Sequence, residues 1–231
     1  MTPASSNRPP AKLSTTLQKR LNAYTLAAGA AGVSVLALAQ PAGAKVVYKR
    51  VNKSITPNNT ISLDLNHDHH ADFNIYDSFT CTSFCEYVEG AITAIPLRAA
   101  NRVRGYAEFG YPFASALMAG VEVGPNAKFF TGKKYMVQGG YDQGTTTVGT
   151  CFGAWDNVRQ RFLGLKFKIG SETHYGWARF NASCAKNGEN TGVLTGYAYE
   201  TIAKKPIVTG DTGGGETLGR LAHGAHERTP R

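Results

Sequence analysis

The chain predicts an all-β fold, an antiparallel β-sandwich of jelly-roll or concanavalin-like type with flexible termini. Three observations lead there. Beyond residue 45, apolar and polar residues alternate in short runs, the period of a strand with one face buried. Turn residues punctuate those runs at Pro57-Asn-Asn59, Gly124-Pro-Asn126, Gly139-Gly140 and Lys186-Asn-Gly188. No segment of this part keeps a helical period over three turns; 99–109 and 115–119 hold a short helix at most.

The elements follow in order. Val46-Val47-Tyr48 starts a first strand, and Ile61–Leu65 and Phe73–Tyr76 alternate with period two. Glu86–Leu97 reads as a longer strand ending at Pro96. Thr147–Trp155, Phe162–Ile169, His174–Phe180 and Val193–Tyr199 complete the set. Gly170–Thr173 is a four-residue connection suited to a hairpin. On the strand after it, His174, Gly176, Ala178 and Phe180 share one face; Tyr175, Trp177 and Arg179 share the other, with the Arg179 head in water.

Residues 1–44 have a different character. Arg8, Lys12, Lys19 and Arg20 precede 24 uncharged residues, Leu21 to Ala44, with Ala42 and Ala44 placed as an Ala-x-Ala cleavage site before Lys45. A basic start, an apolar middle and small residues at the exit make a secretory signal peptide. The rival is an uncleaved anchor, since 24 residues are long enough to span a bilayer. The Ala/Gly content and Pro41 favour cleavage. No later stretch is long and apolar enough to span. The expected organisation is therefore a leader at 1–44, a β-sandwich domain at 45–208 and a Gly-rich, apolar-poor disordered tail at 209–231.

Cleavage leaves 21 basic and 16 acidic residues, a charge of +5 in place of the full chain's +9. The excess is spread along the chain without the basic stripe and stacking rings of a nucleic-acid surface, so no nucleic-acid partner is expected. Cys81, Cys85, Cys151 and Cys184 all lie in the exported part. An even count in an oxidising compartment favours disulfides, with Cys81–Cys85 and Cys151–Cys184 the preferred pairing of three possible ones.

One segment carries metal chemistry. Asp64-Leu-Asn66-His-Asp68-His-His70-Ala-Asp72 places oxygen side chains at loop positions one, three, five and nine, and the His70 carbonyl at position seven. That spacing wraps a chain around a hard cation, and calcium is the expected ion. The bland alternative is a polar turn whose Asp and Asn side chains cap backbone groups. Position six is His69 where Gly is usual, and position twelve is Ile75 where an EF-hand has Glu. The strand-like flanks resemble the calcium loops of integrin-type FG-GAP repeats. His67, His69 and His70 invite a transition-metal reading, but residues along an extended loop point opposite ways and the three need not converge.

The sequence lacks a Gly-x-Ser-x-Gly elbow, a His-Glu-x-x-His helix and a phosphate-cradling loop. The carboxylates on offer for glycoside hydrolysis, Glu86 with Glu89 or Glu108 with Glu122, read better as surface groups. Tyr106, Tyr111, Tyr135, Tyr141, Tyr175, Trp177 and Tyr197 would suffice for a sugar platform and equally for a core.

With HYGWARF (174–180), GYAYE (196–200) and the KPI-x-x-G segment (205–210), the chain resembles uncharacterised exported bacterial β-sandwich proteins related to the PEP-CTERM-associated group. The resemblance implies an extracytoplasmic sandwich and no particular activity. Anchored members end in an apolar helix followed by basic residues. Here Arg220, His223, His226 and Glu227 interrupt that segment, so release or loose envelope association is implied. The expected function is a secreted or cell-surface, non-enzymatic protein of surface structure or matrix binding, with extracellular polysaccharide or other surface proteins as partners. The alternatives are a carbohydrate-binding module and a polysaccharide hydrolase.

Overall fold

Among the described residues there are fourteen strands: β1 (Val46–Ile55), β2 (Thr60–Leu63), β3 (Phe73–Thr82), β4 (Tyr87–Pro96), β5 (Arg102–Glu108), β6 (Tyr111–Ala114), β7 (Glu122–Val123), β8 (Phe129–Phe130), β9 (Lys134–Asp142), β10 (Thr147–Phe152), β11 (Val158–Ile169), β12 (Glu172–Ser183), β13 (Thr191–Glu200) and β14 (Ile207–Val208). The structure is a computed structural model that describes residues 45–108, 110–142 and 147–213. The leader at 1–44 and the tail from 214 lie outside the described residues.

Twelve strands form one sheet in the order β1-β13-β12-β11-β5-β6-β9-β4-β3-β2, with β10 on β9 and β8 on β5. Its pairings are antiparallel except the parallel β6–β9 contact, where Phe113 lies opposite Tyr135. The ends of the path, β1 and β2, touch, so the sheet comes close to closing on itself. One core joins its two halves: Leu63, Phe73, Ile75, Ile92 and Val137 from β2, β3, β4 and β9 cluster with Leu163, Leu165, Phe167, Phe180 and Leu194 from β11, β12 and β13. The period-two runs put these residues on one face, which is why the sequence pattern reported them.

The hairpin of β11 and β12 is tighter than expected. Ile169 pairs with Glu172, leaving a two-residue connection in which Gly170 takes φ 58°. A two-residue hairpin needs a positive φ at its first central position to match the strand twist, and Gly supplies it without a Cβ clash.

β5 replaces the short helix expected at 99–109, and β6 and β9 stand where only loops and turns were read. β9 holds Gly139-Gly140, the pair taken as a turn signal. A Cβ at Gly139 would lie 2.5 Å from Ala185 O, and one at Gly140 would lie 2.3 Å from Val88 O. These glycines mark close backbone approach inside a strand.

A second cluster covers the outer face of β11–β13. Trp177 and Tyr175 pack there with Phe162, Val123, Ile207 and Leu117. The Trp177 ring meets Phe162 edge-on at 5.1 Å and Tyr48 at 5.8 Å. The cover is a two-stranded clip, β7 with β14, in which Ile207 lies opposite Val123. Arg179 is only half-exposed: its Nε donates to Thr195 Oγ1 at 2.9 Å and Nη2 to Tyr48 Oη at 3.3 Å, so its head is held in place instead of free in water. Thr209, placed by the sequence at the start of the tail, is buried; its N–H and Oγ1 bond Val121 O and Met118 O. The described fold thus runs past position 208.

Both expected disulfides are present, Cys81–Cys85 and Cys151–Cys184, and no described cysteine is free. By chain entropy, the bridge across 33 positions contributes about 4 kcal/mol and the one across four about 2 kcal/mol. No helix among the described residues is long and apolar enough to cross a membrane.

Candidate functional site

The Asp64–Asp72 loop is set between β2 and β3, and core residues hold both of its ends. Leu63, Leu65 and Phe73 are fully buried, so the chain enters and leaves the loop at fixed points. The Asp72 N–H donates to Leu63 O at 2.8 Å; its carbonyl accepts from Leu97 N and Asn101 Nδ2, each at 3.0 Å.

Within that frame the side chains bind the loop's own backbone. Asp64 Oδ1 accepts from Asp68 N at 3.2 Å and Oδ2 from His69 N at 2.9 Å. Asp68 Oδ1 accepts from His70 N at 2.9 Å and Oδ2 from Asn66 Nδ2 at 3.0 Å. Asp72 Oδ2 accepts from Leu65 N at 3.0 Å. His69 takes φ 68°, the left-handed turn that position six of such a loop requires. His67 does the same at φ 59°.

Capping leaves two side-chain oxygens over. Asn66 Oδ1 and Asp72 Oδ1 are buried with no hydrogen-bond partner, and Asp72 as a whole is 0% exposed. Burial pushes the Asp72 carboxyl up to about 6, against the downward pull of Leu65 N–H and the Arg98 charge; Asp68 and Asp64 add to the rise. Asp68 is held below the usual carboxylate range, first by its bond from Asn66. Arg98 Nη2 stands 3.7 Å from Asp68 Oδ2. Buried acceptors without donors are costly and uncommon, and a cation is one way to satisfy them.

The loop's carboxylates are not drawn tightly together. Among the described residues, the one set of three His, Cys, Asp or Glu ligand atoms all within 4.8 Å of each other is Cys151, Asp156 and Cys184. Its sulfurs are joined in the disulfide and Asp156 Oδ1 accepts from Cys184 N at 3.1 Å, so it is a staple. The loop histidines belong to no such set; His67 instead turns to Tyr197, Nε2 to Oη 3.5 Å.

A second feature lies on the outer face of β4, β9 and β10, a groove of about 180 Å³. Cross-strand register builds it. Glu89, Gly140 and Thr150 form one row across the strands, between a row with Tyr87 and Asp142 and a row with Gln138 and Phe152. Glu89 Oε1 accepts from Gln138 Nε2 at 2.7 Å and Oε2 from Tyr87 Oη at 2.8 Å. Sequence reading offered Glu89 as a carboxylate and Tyr141 as a ring, both of which line the groove, and took Gly140 for a turn; Tyr87, Gln138 and Phe152 it did not name, because only the register brings them together. Of the rings offered as a sugar platform, Trp177, Tyr175 and Tyr197 are buried.

No family model, curated protein or solved structure matches this chain. Fold and site define an all-β chain with two disulfides, a capped polar loop at one sheet margin and an open groove on one face.

Proposed function

We propose that the chain is a secreted or envelope-associated, non-enzymatic β-sandwich of surface structure or matrix binding, with calcium held by the Asp64–Asp72 loop. The observation that carries the calcium reading is the pair of buried, unpartnered oxygens, Asn66 Oδ1 and Asp72 Oδ1, in a loop of Asp-x-Asn-x-Asp-x-x-x-Asp spacing. Asp64, Asn66, Asp68 and Asp72 would supply side-chain oxygens, and His70 its carbonyl. Each carboxylate oxygen that already accepts an N–H keeps a lone pair. The sandwich reading is supported by the single core shared by the two halves of the sheet. Export is supported by the leader and by two disulfides. The HYGWARF, GYAYE and KPI segments, on whose sequence the resemblance to the exported PEP-CTERM-associated group rests, lie together in the fold. Trp177 lies opposite Ala198, His174 Nδ1 meets Glu200 O at 2.9 Å, and Lys205 Nζ is 3.2 Å from the buried Glu200 carboxylate.

The test is a thermal melt of the cleaved protein after chelation, with calcium added back. An affinity near 1 mM gives about 1.4 kcal/mol at 10 mM calcium, a rise of about 3–6 °C. Asp72→Asn should abolish the rise, and magnesium should not reproduce it. A melt indifferent to 10 mM calcium, on the order of ten times that affinity, refutes the calcium assignment.

A further inference from the structure

The outer faces of the sheet are treated unequally. Over β11–β13 the clip of β7 and β14 buries the aromatic rings. Over β4, β9 and β10 the rings stand in solvent: Phe152 is 54% exposed and Tyr87 41%. Phe84, 107% exposed, stands at the tip of the β3–β4 hairpin next to the Tyr87 end, where Tyr141 Oη donates to Cys85 O at 3.0 Å. Scattered surface apolar residues need no explanation, but large rings gathered at the ends of a groove do.

The polar groups between the rings are already oriented. Glu89 is held from both sides, by Tyr87 Oη and by Gln138 Nε2, and each of its oxygens retains acceptor capacity. Gln138 keeps a second N–H and its amide oxygen available. The Tyr87 hydroxyl has its pKa raised, first by the bond to Glu89 and then by that residue's charge, with Asp142 adding to it, so it stays protonated as a donor. Gly140 places no side chain between Glu89 and Thr150, leaving the middle of the groove open.

We propose that this groove binds a neutral glycan, one sugar ring lying against Phe152 with its hydroxyls bonded to Glu89 and Gln138. A sugar ring offers C–H faces that pack on aromatic rings and hydroxyls that both donate and accept, the two kinds of group the groove presents. Two carboxylates, Glu89 and Asp142, line the groove and oppose anionic ligands such as sulfated or uronate-rich chains. The groove and the calcium loop share no residue, so this binding does not depend on the calcium reading.

The experiment is co-sedimentation of the cleaved, oxidised protein with cellulose and chitin, and affinity electrophoresis in gels containing soluble starch or dextran sulfate. Binding is expected to at least one of cellulose, chitin and starch. Phe152→Ala should weaken it about tenfold, the effect of losing one stacking face. Gln138→Ala should also weaken it. Tyr111→Ala, which removes an exposed ring outside the groove, should leave it unchanged. A circular dichroism melt checks that each variant is folded. No binding to any neutral polysaccharide, preference for dextran sulfate, or equal loss in Tyr111→Ala would overturn the assignment.

Discussion

The β11–β13 half of the sheet and the β2–β3–β4–β9 half share one core but differ in what they leave outside and what they bury. The first is braced on both faces: core packing within, the Trp177 cluster and its clip without. The second has its outer groove in solvent and buries two carboxyls elsewhere in its strands and loop. Asp72 and Asp77 are both 0% exposed, and neither oxygen of Asp77 has a partner. Aromatic residues therefore mean different things in the two halves. Under the clip they are fold; beside the groove they contribute little to the fold and are available to a ligand. Unsatisfied buried polar atoms occur in both halves, Trp177 Nε1 under the clip and the Asp77 carboxyl in the other, and each costs stability.

Trp177 packs under the clip with Phe162, Val123 and Ile207. Replacing it with Ala removes a fully buried indole whose ring touches Phe162 and Tyr48. The expected cost is about 3–5 kcal/mol, a fall in melting temperature of about 6–20 °C at this chain length. Circular dichroism melts measure it. A fall under about 3 °C, near 1 kcal/mol, would mean that the clip is not a brace.

In the other half, Asp77 gives stability a pH dependence. Burial alone pushes its carboxyl up to about 7, from an ordinary 3.8. Between those values the folded chain holds a proton that the unfolded chain releases, so stability falls as pH rises from 4 through 7. At about 1.4 kcal/mol per unit, the ceiling is about 4 kcal/mol; relaxation around the charge makes about 2 kcal/mol a fairer figure. The chelated wild type should melt several degrees lower at pH 8 than at pH 5. Asp77→Asn should flatten the slope. It will not remove it entirely, because Asp72 is raised to about 6 and acts in the same direction. An unaltered slope in the variant would place the titrating group elsewhere.

The two halves also differed in how far the sequence could be read. The strand-turn-strand of 162–180 was legible from two apolar, aromatic-rich runs joined by a Gly-containing turn, although both faces are buried there, one by the core and one by the clip. His174, Ala178 and Phe180 do face inward with Tyr175 and Trp177 on the other side. β9 was hidden, since Gly139 and Gly140 carry the local signature of a turn while their tertiary environment makes them a strand. The contact that requires glycine at 139 comes from Ala185, 46 positions away, which no local window contains. The polar loop was visible as spacing, and so was the disulfide arithmetic. The groove was not. Tyr87, Gln138, Gly140 and Phe152 become neighbours only through pairing of three strands, and the sequence offered no cue to that register.

Phe152 and Trp177 are both large aromatic residues on outward faces of the same sheet, one 54% exposed and the other 0%. If the open face is a ligand surface, truncating Phe152 removes little that folding depends on. Phe152→Ala should shift stability by no more than about 0.5 kcal/mol, within about 2 °C, while Trp177→Ala under the same conditions loses several times that. Melts of the two variants in parallel, without added polysaccharide, decide it. A large loss from Phe152→Ala would show that its ring packs against the body of the protein, and the division between a braced and an open face would then fail. Small loss together with intact folding leaves the exposed ring without a structural purpose, which is the condition under which its glycan binding can be measured cleanly.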